Sequence, residues 1–188
     1  MDALYTTLLS VFLAEMGDRT QILAAALALR FQKNHAIIAG LACATLLNCA
    51  MSALGGSFID SWISAQPVKF FAGLAYIFAG AGMLFWRRNV DPLRNWKTSA
   101  FSTAFLGLFI LQFGDKSQFI IAAQSARTPL WGMTLAGGFV GIMAATVPAV
   151  IMRDKLAQIV PLKPIRWLSG AIFLIWGAVL ATQAFGIS

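Results

Sequence analysis

Charge is scarce in this sequence: seven acidic and fourteen basic residues make up only 11% of 188 positions, while 59% are hydrophobic. Soluble domains carry about 25% charged residues, so this composition, with a mean hydropathy of +0.77, excludes one and indicates an integral membrane protein. Histidine occurs once, at His35, and cysteine twice, at Cys43 and Cys49. A quinone or thiol oxidoreductase would need haem-ligand histidines or a C-x-x-C pair, and two cysteines six apart in one helix supply neither. They read as packing residues on different helix faces, and His35 as a solvated loop residue. No G-x-x-x-x-G-K-[ST] loop is present, so ATP is not the expected energy source. The chain is therefore not expected to be an enzyme or to hold a cofactor. The N-terminal M-D-A-L-Y lacks the positive n-region and cleavage site of a removable signal peptide, so the first apolar stretch is expected to stay in the fold.

Long apolar runs are what the sequence has in quantity. Stretches of spanning length read at 3–30, 36–59, 68–86, 99–126, 129–152 and 165–186, taking roughly 20 residues as the minimum for a bilayer core. The expected fold is all-α, with six transmembrane helices, short loops and no room for a soluble catalytic domain. The basic residues sit at helix ends rather than in one patch with interleaved aromatics, which excludes nucleic acid as a partner. Arg30, Lys33, Arg87, Arg88, Arg94, Lys97, Arg153, Lys155, Lys163 and Arg166 fall in the first, third and fifth loops, against Lys69 and Arg127 on the other side. The positive-inside rule then puts the odd loops in the cytoplasm and both termini outside. Trp62, Trp86, Trp96, Trp131 and Trp167 lie near span ends, where amphipathic rings anchor in the interface.

Sliding the sequence against itself by 97 residues aligns its halves without a gap. Gly17-Asp18 falls on Gly114-Asp115, Gln21 on Gln118, Arg30 on Arg127, and Ala39-Gly40 on Ala136-Gly137. Pro67-Val68-Lys69 falls on Pro164-Ile165-Arg166, Gly73 on Gly170, and Gly80-Ala81 on Gly177-Ala178. Shared apolar composition does not produce charged pairs and prolines in one register, so the chain is read as a duplication. Its organisation is a first three-helix repeat over 1–90, a cytoplasmic linker at 91–99 carrying Pro92, and a second repeat over 100–188. Three spans per unit is an odd number, so the second copy enters the membrane from the opposite side. Inverted repeats of this kind characterise secondary transporters, whose sites lie near the midplane beside interrupted helices. The least conserved stretch between the copies, 41–66 against 138–163, holds Thr45, Asn48 and Ser52, whose only polar relative nearby is Thr146.

Two related heptads stand out: E-M-G-D-R-T-Q at Glu15–Gln21 and Q-F-G-D-K-S-Q at Gln112–Gln118. Each starts roughly 18–22 Å into its span, near the bilayer middle. Ionised groups there cost about 2.5–3.5 kcal/mol each, so Glu15, Asp18, Arg19, Asp115 and Lys116 must face one another, water or an ion. On a helix Glu15 and Asp18 are neighbours at i and i+3, as are Gln112 and Asp115. Two such faces meeting gather three carboxylates and one carboxamide, an oxygen-only set suited to hard divalent cations such as Ca²⁺, Mg²⁺ or Mn²⁺. Gly17 and Gly114 permit a local helix opening whose carbonyls can add ligands. Arg19, at i+4 from Glu15 and next to Asp18, is expected to pair with either acid and yield to an arriving cation, with Lys116 as its mate. Thr20 and Ser117 are expected to return their hydroxyls to backbone carbonyls one turn earlier, and Gln21 and Gln118 to line an access path, with Asn48 as a further polar group. Met16 is a softer ligand candidate, weakened by its mate being Phe113.

With the duplicated motif in hand, the chain resembles the Gdt family of divalent cation/proton exchangers, whose signature is E-x-G-D-[KR]-[TS] in each of two inverted three-helix units. The first copy fits fully and the second departs at Gln112, which keeps an oxygen ligand but cannot ionise. The resemblance spans the whole chain and, at this size, points to the bacterial manganese exporters. It implies a multi-pass protein of the bacterial inner membrane. It also implies export of Mn²⁺ or Ca²⁺ from the cytoplasm in exchange for protons, with the motif acids as ligands. Export of a small organic solute such as an amino acid, or a cation channel, are the alternative transport readings; acids at the midplane favour a compact cation.

Overall fold

The computed structural model describes residues 2–85 and 90–186, which form helices and connecting turns with no strand among them. Trp86, Arg87 and Arg88, read above as an interface anchor and cytoplasmic charges, lie outside the described residues. In chain order the helices are α1 (Asp2–Glu15), α2 (Arg19–Phe31), α3 (Asn34–Asp60), α4 (Ala65–Phe85), α5 (Ala100–Gln112), α6 (Lys116–Ser125), α7 (Trp131–Met152), α8 (Leu156–Ile159) and α9 (Leu162–Ala184).

Four of these, α3, α4, α7 and α9, are long and apolar enough to cross a membrane. At 1.5 Å per residue the 21 residues of α4 extend about 30 Å, the thickness of a hydrocarbon core. They expose large apolar side chains such as Phe58, Phe71, Phe85, Ile151, Leu168 and Ile175. That is the surface of a protein whose solvent is lipid, where an unbroken helix satisfies its backbone groups internally.

The stretches 3–30 and 99–126 are each two helices, broken at Gly17 and Gly114, the positions where the sequence led to the expectation of a local helix opening. Gly17 has φ 66° and Gly114 φ 72°, left-handed values that end a right-handed helix and that glycine adopts without a β-carbon clash. The second break bends α5 against α6 by 68°, which makes this pair a fifth candidate crossing, as a broken span or a re-entrant loop. Past each glycine the chain leaves an aspartate in extended conformation, Asp18 and Asp115, and starts a new helix at Arg19 or Lys116. His35 is exposed in the first turn of α3, not in a loop, and Cys43 is exposed while Cys49 is buried on the same helix.

Helix pairs pack through small residues, as expected where hydrophobicity cannot drive association within lipid. On α4 and α9, a β-carbon at Gly73 would lie 2.8 Å from the Gly177 carbonyl oxygen, and one at Gly80 would lie 2.7 Å from that of Gly170. In the 97-residue register Gly73 and Gly170 are mates, as are Gly80 and Gly177, so the contact is reciprocal and the two helices run antiparallel. The same reciprocity relates α3 on α5, where Gly40 meets Phe101, Ala104 and Phe105, to α7 on α1, where Gly137 meets Leu4, Thr7 and Leu8. The segment at 90–99 is held to α2 by Arg30, which donates to the Leu93 and Trp96 carbonyls, and by Leu93, whose side chain fills the space above Gly107.

Candidate cation site

Each chain break is built the same way. The Asp18 amide bonds the Glu15 carbonyl at 3.0 Å, and the Asp115 amide bonds that of Gln112 at 3.0 Å. Gln21 Oε1 accepts from the Gly17 amide at 2.8 Å, and Gln118 Oε1 accepts from Gly114 at 2.8 Å. The Gln21 amide then donates to the Ala145 carbonyl on α7, and the Gln118 amide to the Asn48 side chain on α3, both at 2.6 Å. Ala145 and Asn48 are themselves mates in the repeat. Gln21 and Gln118 thus satisfy the amides freed by the break and tie it to the neighbouring helix. The legible signal for this bracing was their i+4 distance from the two glycines.

Asp18 and Asp115 occupy the N-cap positions of α2 and α6, yet neither side chain caps its own helix. Both are turned into the interface instead. There one carboxylate oxygen each from Glu15, Asp18 and Asp115 lie within 4.8 Å of one another, and among the described residues no other group of acids, histidines and cysteines clusters so. The positive ends of α2 and α6 point at this cluster, which favours negative charge there. Glu15 and Asp18 meet because the chain turns between them at Gly17, not because they share a helix face.

Lys116 is the cation of the cluster. Its side chain is 6% exposed, and its ammonium donates to Asp18 Oδ2 and lies 3.3 Å from Asp115 Oδ2. Arg19, expected to pair along its own helix, reaches instead across the repeats to Asp115 at 3.9 Å, with its side chain 42% exposed. The two ion pairs are mates, Lys116 with Asp18 and Arg19 with Asp115, but one is tight and buried and the other loose and open. A pair as exposed as Arg19–Asp115 is worth little in water-like surroundings; the buried one fixes charges that would be costly if separated.

Ser117 does not bond back to its own helix. Its hydroxyl donates to Glu15 Oε1, from the second repeat to the first. Glu15 itself is fully buried, and its Oε2 has no hydrogen-bond partner. Gln112, its mate, is held differently: its Nε2 donates to Thr45 Oγ1 at 3.1 Å, and its Oε1 accepts from Asn48 Nδ2 at 3.3 Å. Asn48 is therefore part of the site's wall, and Thr45 joins it. Thr20 is buried and Met16 is half-buried. An unpartnered buried carboxylate oxygen is expensive, and the cluster around it has the oxygen donors that a hard divalent cation requires. A separate cavity of about 530 Å³ between α4 and α6 is lined wholly by apolar side chains, Phe71, Phe78, Phe119 and Ala122 among them, and offers an ion nothing.

Comparison with known proteins gives a consistent result. The profile of the divalent cation/proton antiporter family GDT1 matches residues 3–90 and 100–188. The chain is 32% identical over 189 residues to the "Putative manganese exporter" of Vibrio cholerae, covering 98% of this chain and 92% of that protein. It is 25% identical to "GDT1-like protein 3" of rice and 24% identical to that of Arabidopsis thaliana, in each case over 92% of this chain and 71% and 68% of theirs. No solved structure matches it. The chain belongs to the GDT1 family of divalent cation/proton antiporters.

Proposed function

We propose that this protein exports Mn²⁺ from the cytoplasm in exchange for protons, through one site shared by two inverted repeats. The observation that carries the reading is the convergence of Glu15, Asp18 and Asp115 from both halves of the chain, within 4.8 Å of one another. Manganese is preferred to Ca²⁺ because the relative from Vibrio cholerae bears that name; the oxygen donors alone suit either ion. The bacterial inner membrane is the corresponding location.

In the proposed topology α1 with α2 forms the first span and α5 with α6 the fourth, giving six, with both termini outside. The units are 1–90 and 100–188, joined by a cytoplasmic linker at 91–99. The reciprocal glycine contacts and the split match of the family profile support this division. Glu15, Asp18 and Asp115 are the charged ligands, with Gln112 as a neutral oxygen donor and carbonyls at the breaks by Gly17 and Gly114 as further ones. Lys116 stands in for the cation when none is bound. An arriving ion displaces the ammonium from Asp18 and Asp115, the repeats rock to expose the ion on the other side, and protons returning on the same carboxylates release it. Proton and metal thus compete for one set of oxygens, which is what couples them.

The test is transport in proteoliposomes. An imposed proton gradient is expected to drive Mn²⁺ across the membrane in the wild type, with protons moving the opposite way. Mn²⁺ flux indifferent to the gradient would mean a channel, and basic amino acids carried in preference to Mn²⁺ would mean an organic-solute exporter.

A further inference from the structure

The duplication makes departures from symmetry informative, and one outside the acid cluster is at Tyr76. Its mate is Phe173, and the two rings pack on each other edge to face at 5.5 Å where α4 crosses α9. Both are buried, Tyr76 to 1% and Phe173 to 3% exposure. The axis relating the repeats therefore runs between two rings that differ by one hydroxyl. That hydroxyl is 3.0 Å from Ser10 Oγ on α1 and accepts from Gln124 Nε2 on α6 at 2.7 Å. The mates of Ser10 and Gln124 are Gly107 and Leu27, which cannot form the equivalent bonds with Phe173.

α1 and α6 are the two half-helices on one side of the breaks, and they carry Glu15 at one end and follow Asp115 at the other. The packing of the α4–α9 pair follows the same bias. α4 lies closely on α6 and α9 touches α1, whereas the mate contacts of α9 with α2 and of α4 with α5 are at most marginal among the described residues. The loose Arg19–Asp115 pair belongs to the side left uncovered, as α2 does.

We propose that Tyr76 is a positioning residue: its hydroxyl, shared by Ser10 and Gln124, latches the α4–α9 pair over α1 and α6 and so holds the cation site closed towards the face bearing the α3–α4 and α6–α7 loops. Opening that face requires both hydrogen bonds to break, and no equivalent latch opposes opening the other. The inference rests on the rocking mechanism proposed above, in which that face is the outer one.

Tyr76→Phe removes only the hydroxyl and leaves a ring that the crossing already accommodates at Phe173. In oriented proteoliposomes it is expected to lower the apparent KM for Mn²⁺ presented at the latched face by about fivefold and to raise it by a smaller factor at the opposite face, because a two-state shift changes the two competent fractions in opposite senses and they sum to one. A merely structural defect would reduce turnover equally from both faces. Gln124→Leu is expected to act in the same direction, and adding it to Tyr76→Phe to add little, since both break one network. A readout independent of transport is Cys49, which is buried in the same side-chain cluster as Tyr76. In a Cys43→Ser background, a membrane-impermeant thiol reagent is expected to label it about five times faster from the latched face once Tyr76 is Phe. Unchanged labelling in a folded Tyr76→Phe protein overturns the latch even if Asp18→Asn abolishes transport as proposed. Wild-type transport by Asp18→Asn would overturn the cation site and leave the labelling result to judge the latch alone.

Discussion

The two motif copies share a backbone and differ in what surrounds it. Both break at a glycine with positive φ, both bond an aspartate amide to the carbonyl three residues earlier, and both brace the break with a glutamine at i+4. Their first residues part company: Glu15 is buried with one oxygen unpartnered, whereas Gln112 is enclosed by Thr45 and Asn48. The mates of Thr45 and Asn48 in the 97-residue register are Ile142 and Ala145. The carboxamide thus occurs with a Thr and an Asn on the neighbouring helix, and the carboxylate with the Ser117 hydroxyl and the two aspartates. The shared half of the design fixes the turn of the chain at each break, and the varied half decides whether an ionisable side chain stands in front of it.

The strongest way to break the comparison is at the aspartates, which the two copies have in common. Asp18→Asn and Asp115→Asn are each expected to reduce proton-coupled Mn²⁺ transport in proteoliposomes to background while membrane insertion and size-exclusion behaviour stay normal; appreciable transport by both would show that the cluster is not the site. The cations come next. Lys116→Gln removes the buried ammonium and is expected to raise Mn²⁺ affinity at least tenfold and slow its release, while Arg19→Gln, losing only an exposed pair, changes affinity less than about threefold. Equal effects in a Mn²⁺ binding titration would deny that Lys116 is the internal competitor.

The glycines probe backbone rather than charge. Gly17→Ala and Gly114→Ala each force an L residue into the left-handed region, which costs about 1–3 kcal/mol, so both are expected to lower the thermal midpoint by several degrees and by similar amounts. The subtlest change is to make the second copy resemble the first. Gln112→Glu combined with Asn48→Ala is expected to alter the number of protons exchanged per Mn²⁺, read from simultaneous proton and metal fluxes. An unaltered ratio would show that this position takes no part in proton exchange.

Hydropathy was sufficient for α3, α4, α7 and α9, because an unbroken run of apolar residues has one stable form in lipid. Hydropathy alone did not divide α1–α2 or α5–α6; the motif glycines marked where each run opens, though a glycine permits a break and does not dictate it. The motif acids were legible from their cost in a membrane and from their repetition. The partner of each acid was not. Arg19 and Lys116 are equivalent in the repeat, and which of them is buried depends on how the α4–α9 pair leans, a property of packing rather than of local sequence. Ser117 and the two motif glutamines were visible as polar residues, but their bonds follow the new helix direction after the break and not the old one. Tyr76, Ser10 and Gln124 left no signal, being single polar groups on three separate apolar helices whose meeting is purely tertiary.

The claim that both repeats build one site is tested most directly by anomalous diffraction from crystals of the protein soaked in Mn²⁺. A single manganese peak is expected between Glu15, Asp18 and Asp115, with the Lys116 ammonium displaced from the two aspartates. A peak held by residues of one repeat alone, or a Lys116–Asp18 pair left intact beside a manganese bound elsewhere, would contradict it.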